Sequence, residues 1–202
     1  MTHSRYAATL GIENYDLHEV YRGNSDVRET IGSQPVIIIF NSQFFTIQPS
    51  MTEQADYYRK LYDKALAIAK AKHFGQTDKS GKPYIGHPVR VAQACTTDDA
   101  KIVALLHDVI EDSDASPEYL AAEGFPPHIV EAVTAVSRED GESYDDFIRR
   151  AAANPIGLEV KIADLEDNMD VRRLNDITER DVQRLRKYLK AWRFLTEERG
   201  TR

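Results

Sequence analysis

The sequence predicts an all-α protein, an irregular bundle of helices, and two observations carry this prediction. From Met51 onward, apolar residues recur at intervals of three and four, which is the spacing of one buried helix face. The segments with this spacing are joined by short polar loops that contain glycine or proline. Helices connected by short loops pack on one another as a bundle.

The predicted elements follow one another along the chain. The β-branched stretch at 35–47 predicts one or two short strands, which cannot be stable by themselves. We therefore divide the chain into an N-terminal extension, 1–50, and a helical domain, 51–202; a true translation start at Met51 is the alternative explanation for the extension. The predicted helices are 58–73, 89–95, one from 98 that includes 109, 127–136, 144–152, 159–169 and 178–197. Asp176 and Thr178 are the predicted N-caps of the last helix.

Composition excludes several classes of protein. The 202 residues, 42% of them apolar, suit one globular domain or one domain with an appendage. A net charge of -7 argues against general nucleic-acid binding, although it allows a local basic pocket for one phosphorylated ligand. The single cysteine indicates a reducing compartment. The apolar run 36–40 is too short to cross a membrane and no signal peptide is visible, so we expect a cytoplasmic protein.

The most informative motif is the run LLHDVIED at 105–112. In one continuous helix, His107 and Glu111 lie one turn apart, and Asp108 and Asp112 flank them. Three carboxylates on one helix face repel one another unless a cation neutralises them. An imidazole beside them therefore suits a divalent metal site with nitrogen and oxygen ligands. A solvated acidic helix end with an incidental histidine is the alternative.

A second block, VKIADLEDN at 160–168, combines one carboxylate, one amide and nearby cations. Asp164 and Asn168 lie one helical turn apart, and Lys161 and Arg172 fall on the same arc. This arrangement suits a metal ligand beside a phosphate-binding wall. Ordinary surface ion pairs are the alternative.

A third block, at 73–88, ends in His87-Pro88, where a loop enters a helix and proline fits the first turn. Within its loop, Lys79, Ser80 and Gly81 offer a cation, a hydroxyl and a backbone N–H to an anion. A surface loop with a helix-initiating proline is the alternative.

Together the three blocks resemble a known family. A histidine, a His-Asp pair and a later aspartate stand in the ligand order of the HD-domain metal phosphohydrolases. The runs HFGQ, KSGKPYIGHP, LLHDVIED and VKIADLEDNM resemble the hydrolase domain of the RelA/SpoT family, and most of all the stand-alone small alarmone hydrolases of the metazoan SpoT-homologue type. The resemblance covers 57–194 and implies a helical bundle of the HD-domain type.

The resemblance also implies an activity: Mn²⁺-dependent hydrolysis of the 3′-pyrophosphate of (p)ppGpp to GDP or GTP and pyrophosphate. Synthesis of the alarmone is not expected, because the chain ends soon after the last predicted helix. The implied ligands of one Mn²⁺ are His87, His107, Asp108 and Asp164. Glu111 and Asp112 match the pair that handles the attacking water and its protons. Lys79, Asn168 and Tyr188 match substrate-binding positions, and we add Ser80 and Lys161 from the arguments above.

One residue departs from the family pattern. Long family members carry arginine where this chain has Asp78, and that arginine is expected to lie on the nucleobase. Aspartate reverses the charge and cannot stack, which leaves the metal chemistry unchanged but affects base recognition. An HD phosphohydrolase acting on (p)ppApp or NADPH is therefore one alternative. A catalytically silent HD regulatory module is another, although it would have no need of Glu111 and Asp112.

Overall fold

A computed structural model describes Val36–Phe40, Gln43–Ile47, 50–174 and 176–201. The chain divides into two compact units, Met1–Tyr57 and Tyr58–Arg202. In the first unit, strands β1 (Val36–Phe40) and β2 (Gln43–Ile47) pair antiparallel, with Val36 opposite Ile47. Most of the predicted extension, 1–35, lies outside the described residues, so the division after residue 50 stays a prediction.

Helices dominate the rest of the described chain, and the predicted all-α fold is confirmed. The helices are α1 (Met51–Lys72), α2 (Gly86–Ala94), α3 (Asp98–Leu106), α4 (Val109–Asp112), α5 (Pro117–Ala122), α6 (Pro127–Val136), α7 (Tyr144–Ala153), α8 (Pro155–Asn168) and α9 (Glu179–Gly200), with a 3₁₀ turn at Val171–Arg173 before α9. Several helices begin before their predicted bounds, such as α1 at Met51 and α8 at Pro155, and two elements differ in kind. The short helix α5 was not predicted, and the helix predicted through residue 109 ends at Leu106, with α4 following as a separate element.

Side-chain caps determine where several of these helices begin. Thr178 caps α9 as predicted: its hydroxyl accepts a hydrogen bond from the Asp181 N–H, and the Asp181 carboxylate accepts one from the Thr178 N–H. Asp176 does not cap the helix; its carboxylate accepts from the Ile177 N–H instead. Further side-chain N-caps in the described helices include Ser50, Thr97, Ser116, Ser143 and Asn154.

Helix α8 is the centre of the bundle. It packs against α2, α3, α6, α7 and α9. All residues from Val160 to Leu165 are buried, including Lys161 and Asp164. Charged groups in such a place must be paired and hydrogen-bonded, because transfer of an isolated ion from water to the interior is costly. The position of α8 therefore already indicates that Lys161 and Asp164 serve one common site.

The two longest helices, α1 and α9, contain 22 residues each. Each buries one narrow face, flanked by half-buried residues; in α9 the buried residues are Ala191 and Leu195. Within the part of the chain that the structure describes, no helix is both long enough and apolar enough to cross a membrane.

Gly157 provides a test of the packing around α8. A methyl group on Gly157 would lie 3.0 Å from the Ala151 carbonyl oxygen and 3.3 Å from a Val136 methyl carbon. Alanine usually stabilises a helix interior by about 0.5–1 kcal/mol over glycine. Here we expect Gly157→Ala to lower the free energy of unfolding by about 1–3 kcal/mol, because overpacking against backbone outweighs the propensity gain.

Urea denaturation of the variant measures this change. Gly200→Ala is the matched control, since nothing lies within 4 Å of its added methyl group, and it should be neutral or slightly stabilising. A Gly157→Ala protein as stable as the parent would contradict the packing described here.

Candidate metal centre

Four side chains from three parts of the bundle converge on one point. His87 comes from the first turn of α2, His107 and Asp108 from the turn between α3 and α4, and Asp164 from α8. The His87 Nε2 atom lies 3.2 Å from Asp164 Oδ1 and 3.6 Å from Asp108 Oδ2. The His107 Nε2 atom lies 3.0 Å from Asp108 Oδ2 and 3.6 Å from Asp164 Oδ1. The four predicted ligands are therefore together, and their role as metal ligands stays a prediction.

The break between α3 and α4 brings His107 and Asp108 to the same point. Successive residues of a regular helix point about 100° apart, so neighbouring side chains diverge. Asp108 has φ −100° and ψ −5°, in the sparsely populated bridge region between the helical and extended conformations. This opened turn lets both side chains face one centre, which a continuous helix through 105–112 would not do.

Hydrogen bonds fix the tautomer of both histidines. The His107 Nδ1–H donates to the Ala104 carbonyl oxygen at 2.7 Å, and the His87 Nδ1–H donates to Asp167 Oδ2 at 2.6 Å. Each ring therefore presents the lone pair of Nε2 to the centre. The His107 Nε2 atom is buried and has no hydrogen-bond partner among the described residues. A buried nitrogen left in this state fits a metal ligand.

The donor set also fits a divalent ion. Two imidazole nitrogens and two carboxylate oxygens suit first-row transition ions better than an all-oxygen site would. Ligands bound at about 2.0–2.2 Å lie roughly 3.0–3.6 Å from one another in tetrahedral or octahedral geometry, which matches the distances above. His87, His107 and Asp164 each have a ligand atom within 4.8 Å of the others. The residues present therefore fit a bound metal.

Two neighbours on α8 keep Asp164 ionised. The Lys161 ammonium donates to Asp164 Oδ2 at 2.8 Å, and the Asn168 amide donates to Oδ1 at 2.5 Å. Burial opposes ionisation of Asp164, but the Lys161 charge holds its pKa well below the usual range. Burial likewise opposes the charge on Lys161, whereas Asp164 raises the pKa of the ammonium above its usual value.

An outer ring of side chains, namely Tyr84, Arg90, Asp167 and Arg173, orients the predicted ligands. Most of these contacts were not predicted from the sequence. Asp167, which binds His87, also accepts from Arg90 Nε at 2.7 Å and pairs with Arg173 Nη2 at 3.1 Å. Tyr84 donates its hydroxyl to Asp108 Oδ2 at 2.5 Å. Burial opposes ionisation of Asp167, but His87 and Arg90 hold the pKa of this carboxyl below its usual range. The available signal for Asp167 was its position one turn after Asp164 on α8.

Glu111 and Asp112 lie on α4, directly after this turn. Burial raises the pKa of Glu111, and burial followed by the Asp108 charge raises the pKa of Asp112. Glu111 Oε1 accepts a hydrogen bond from the Arg138 backbone N–H at 2.7 Å. Both carboxyls therefore have a raised tendency to hold a proton beside the candidate centre.

A cavity of about 260 Å³ borders the centre at His87. Its walls include four of the predicted substrate-binding residues: Lys79, Ser80, Asn168 and Tyr188. The fifth, Lys161, is not among the lining residues, because its side chain is buried against Asp164 and the Phe147 ring. A larger cavity, of about 330 Å³, lies elsewhere, around Thr96, Glu159 and Arg199.

Asp78 organises the loop that forms one wall of the 260 Å³ cavity. Its Oδ1 accepts from the Ser80 N–H, the Ser80 hydroxyl and the Lys82 N–H. Its Oδ2 faces Arg173, whose Nη1 lies 3.9 Å away. Three cationic side chains line this cavity, namely Lys79, Arg173 and Arg184. A positive charge absent from position 78 is thus present close to it, on Arg173.

Several known proteins are similar to this chain in sequence, and one solved structure is similar to it in fold. No protein-family model matches it. A probable GTP pyrophosphokinase of Mycobacterium leprae is 32% identical over 63% of this chain and 18% of its own length. The bifunctional (p)ppGpp synthase/hydrolase SpoT of Escherichia coli K12 is 38% identical over 57% of this chain and 16% of its length. A guanosine-3′,5′-bis(diphosphate) 3′-pyrophosphohydrolase of Vibrio cholerae is 37% identical over 57% and 16%.

A solved structure is similar to this chain in fold. A metazoan ortholog of SpoT, described as hydrolysing ppGpp, superposes with a TM-score of 0.54, at 24% identity, over 71% of this chain and 84% of that one. The helical unit thus has the all-α fold of the HD-type proteins. By sequence the chain is similar to these SpoT-type proteins, and it spans less than a fifth of the length of the curated relatives above.

Asp167→Asn tests the outer ring. The change keeps the shape of the side chain but removes the charge that orients His87 and pairs with Arg90 and Arg173. We expect the affinity for Mn²⁺ to fall by about 10–100-fold, as is usual when the outer partner of a histidine ligand is removed. Calorimetric titration of metal-depleted protein measures this change.

Asp145→Asn is the matched control, because Asp145 is exposed and pairs only with Lys190. It should bind Mn²⁺ like the parent. Equal affinity of parent and Asp167→Asn would show that this carboxylate does not support the centre.

Proposed function

We propose that this chain is a cytoplasmic, metal-dependent hydrolase that removes the 3′-pyrophosphate from (p)ppGpp. The observation that carries the proposal is that His87 belongs both to the candidate metal centre and to the wall of the 260 Å³ cavity. A phosphorylated ligand in the cavity would thus place a phosphate next to the centre. The similarity to proteins named for ppGpp hydrolysis supports this substrate. Residues 51–202 are the proposed catalytic domain.

The proposed ligands of one Mn²⁺ are His87, His107, Asp108 and Asp164. When bound, the ion supplies positive charge that polarises a phosphate and acidifies water. Asp164 contributes Oδ1 to the centre while Lys161 holds Oδ2, so its carboxylate has one fixed orientation. We assign Lys161 to this positioning, and not to contact with the substrate.

Glu111 and Asp112 supply the proton handling. Water attacks the phosphorus bonded to the 3′ oxygen, the bond between that phosphorus and that oxygen breaks, and the 3′ oxygen takes a proton. The products are GDP or GTP and pyrophosphate. A carboxyl whose pKa is raised above its usual value is better suited to accept a proton from water and return it to a leaving group. The Arg138 N–H holds one oxygen of Glu111 and leaves the other for water.

The cavity walls suit the remainder of the nucleotide. Lys79 and Ser80 offer an ammonium and a hydroxyl to phosphate, and Asn168 offers an amide beside Asp164. Tyr188 presents an aromatic ring with a hydroxyl, which packs beside the Arg184 guanidinium at 5.9 Å. The volume is slightly below the range of about 300–1,000 Å³ found for drug-sized ligands, so the cavity would hold part of the nucleotide while its 3′ phosphates extend towards the centre.

A second substrate class is favoured by one observation, the charge inversion at Asp78. The family arginine at this position would lie on the base, whereas Asp78 binds its own loop and faces Arg173. A nucleotide with another base or phosphate pattern, such as (p)ppApp or NADPH, is therefore the alternative substrate. The same metal centre would serve it.

A substrate panel with Mn²⁺ tests the proposal. We expect pyrophosphate release from ppGpp, and Asp164→Ala should lower the rate at least about 10³-fold, since it removes a ligand and leaves Lys161 buried without a partner. Asp145→Ala is the control and should retain the parent rate. Cleavage of ppApp or NADPH but not ppGpp would favour the alternative. Stoichiometric Mn²⁺ binding without cleavage of any nucleotide would favour a silent module.

A further inference from the structure

The guanidinium of Arg150, on α7, donates hydrogen bonds to the C-terminal end of α6 and to the turn that follows it. Nη1 donates to the Thr134 carbonyl oxygen at 2.7 Å, and Nη2 donates to the Ser137 carbonyl oxygen at 2.8 Å. Nε and Nη2 also bind the two oxygens of Glu142, at 2.9 and 2.7 Å. The first two contacts satisfy carbonyl groups at the C-terminal end of α6, where the helix itself offers no donors.

The Glu142 residue in turn organises the segment 138–142. The Arg138 guanidinium donates to the Glu142 carbonyl oxygen, and the Glu139 N–H donates to the Glu142 carboxylate at 3.2 Å. Gly141 has φ +77°, a left-handed conformation that allows the chain to reverse here. The turn is therefore built around one residue, and Arg150 holds that residue in place.

The far side of this turn touches the proposed proton-handling residue. The Arg138 N–H donates to Glu111 Oε1 at 2.7 Å, and the Ser137 hydroxyl donates to the His107 carbonyl oxygen at 3.4 Å. Helix α4 has only one turn, so it cannot fix Glu111 by itself. A continuous series of contacts thus runs from Arg150 through Glu142 and Arg138 to Glu111.

We propose that Arg150 is a positioning residue that fixes the orientation of the Glu111 carboxylate through the segment 138–142. The inference rests on the proposed function, in which Glu111 handles the proton of the attacking water. Arg150 itself is not among the residues that line the 260 Å³ cavity, so it acts through Glu111 and not on the substrate. A misplaced carboxylate lowers the rate of the chemical step without changing how the substrate is bound.

The test combines two variants in a double-mutant cycle. Arg150→Met keeps the apolar stem and removes all donors; we expect kcat to fall by about 10–100-fold, with KM and Mn²⁺ affinity within threefold of the parent. Glu111→Gln keeps an oxygen for the Arg138 N–H but removes the base. In that background, Arg150→Met should cost no further activity, because its effect passes through the same carboxylate. Equal losses in both backgrounds would overturn the proposal.

Arg149→Met is the matched control, because Arg149 is the adjacent arginine, is exposed, and binds only Asp146 on its own helix. It should retain the parent kcat. If Arg150→Met does not fold, Glu142→Gln replaces it in the double-mutant cycle, because it weakens the same contacts with less loss of packing.

Amide hydrogen exchange of the full chain gives a readout that does not depend on activity. The Arg138 amide should exchange at least about tenfold faster in Arg150→Met than in the parent or in Arg149→Met. Unchanged protection would overturn the proposal even in an active enzyme. If the parent cleaves no nucleotide, the proposed function fails, while this measurement still decides whether Arg150 holds the segment.

Discussion

The ionised carboxylate of Asp164 is a buried side chain of α8, a helix that other helices cover on most sides. A bare charge at this depth would cost several kcal/mol, so the surrounding structure has to supply partners. Lys161 and Asn168, from the preceding and following turns of the same helix, bind its two oxygens. These two partners leave uncovered the side of Asp164 Oδ1 that faces the two imidazoles. The bundle therefore presents one carboxylate oxygen in one direction, and the other three donors are arranged around it.

The same logic extends outward from the centre. The imidazole lone pairs point inward because a backbone carbonyl and Asp167 accept the Nδ1 protons. Asp167 is itself held by Arg90 and Arg173. Tyr84 binds Asp108 in the same way. Each donor thus has a partner behind it: the partners of Asp164 and His107 are local in the sequence, whereas those of His87 and Asp108 come from distant parts of the chain.

The helical fold could be predicted from the sequence because the spacing of apolar residues is local information, whereas the residues that meet at the centre were implied by the resemblance to a known family. The apolar stripes gave most helices within a few residues, and Thr178 was identified as a cap from its place before α9. The opened turn at His107-Asp108 was not predicted, since an apolar stripe through Val109 looks the same whether the helix is continuous or broken. The partners of His87 were also beyond reach, because Asp167 lies 80 residues away in the sequence. Lys161 was assigned to substrate from its charge and its place on the same helical arc as Asp164 and Asn168, whereas its burial depends on tertiary packing.

Asp167 joins the two halves of the site in one more way. Its carboxylate binds the metal-centre residue His87 and, at the same time, Arg173 on the cavity wall. An anion that draws Arg173 towards itself changes the partners left for Asp167, and through them the basicity of the His87 ring. Occupancy of the cavity and occupancy of the centre are then thermodynamically linked, and each must alter the affinity of the other by the same factor.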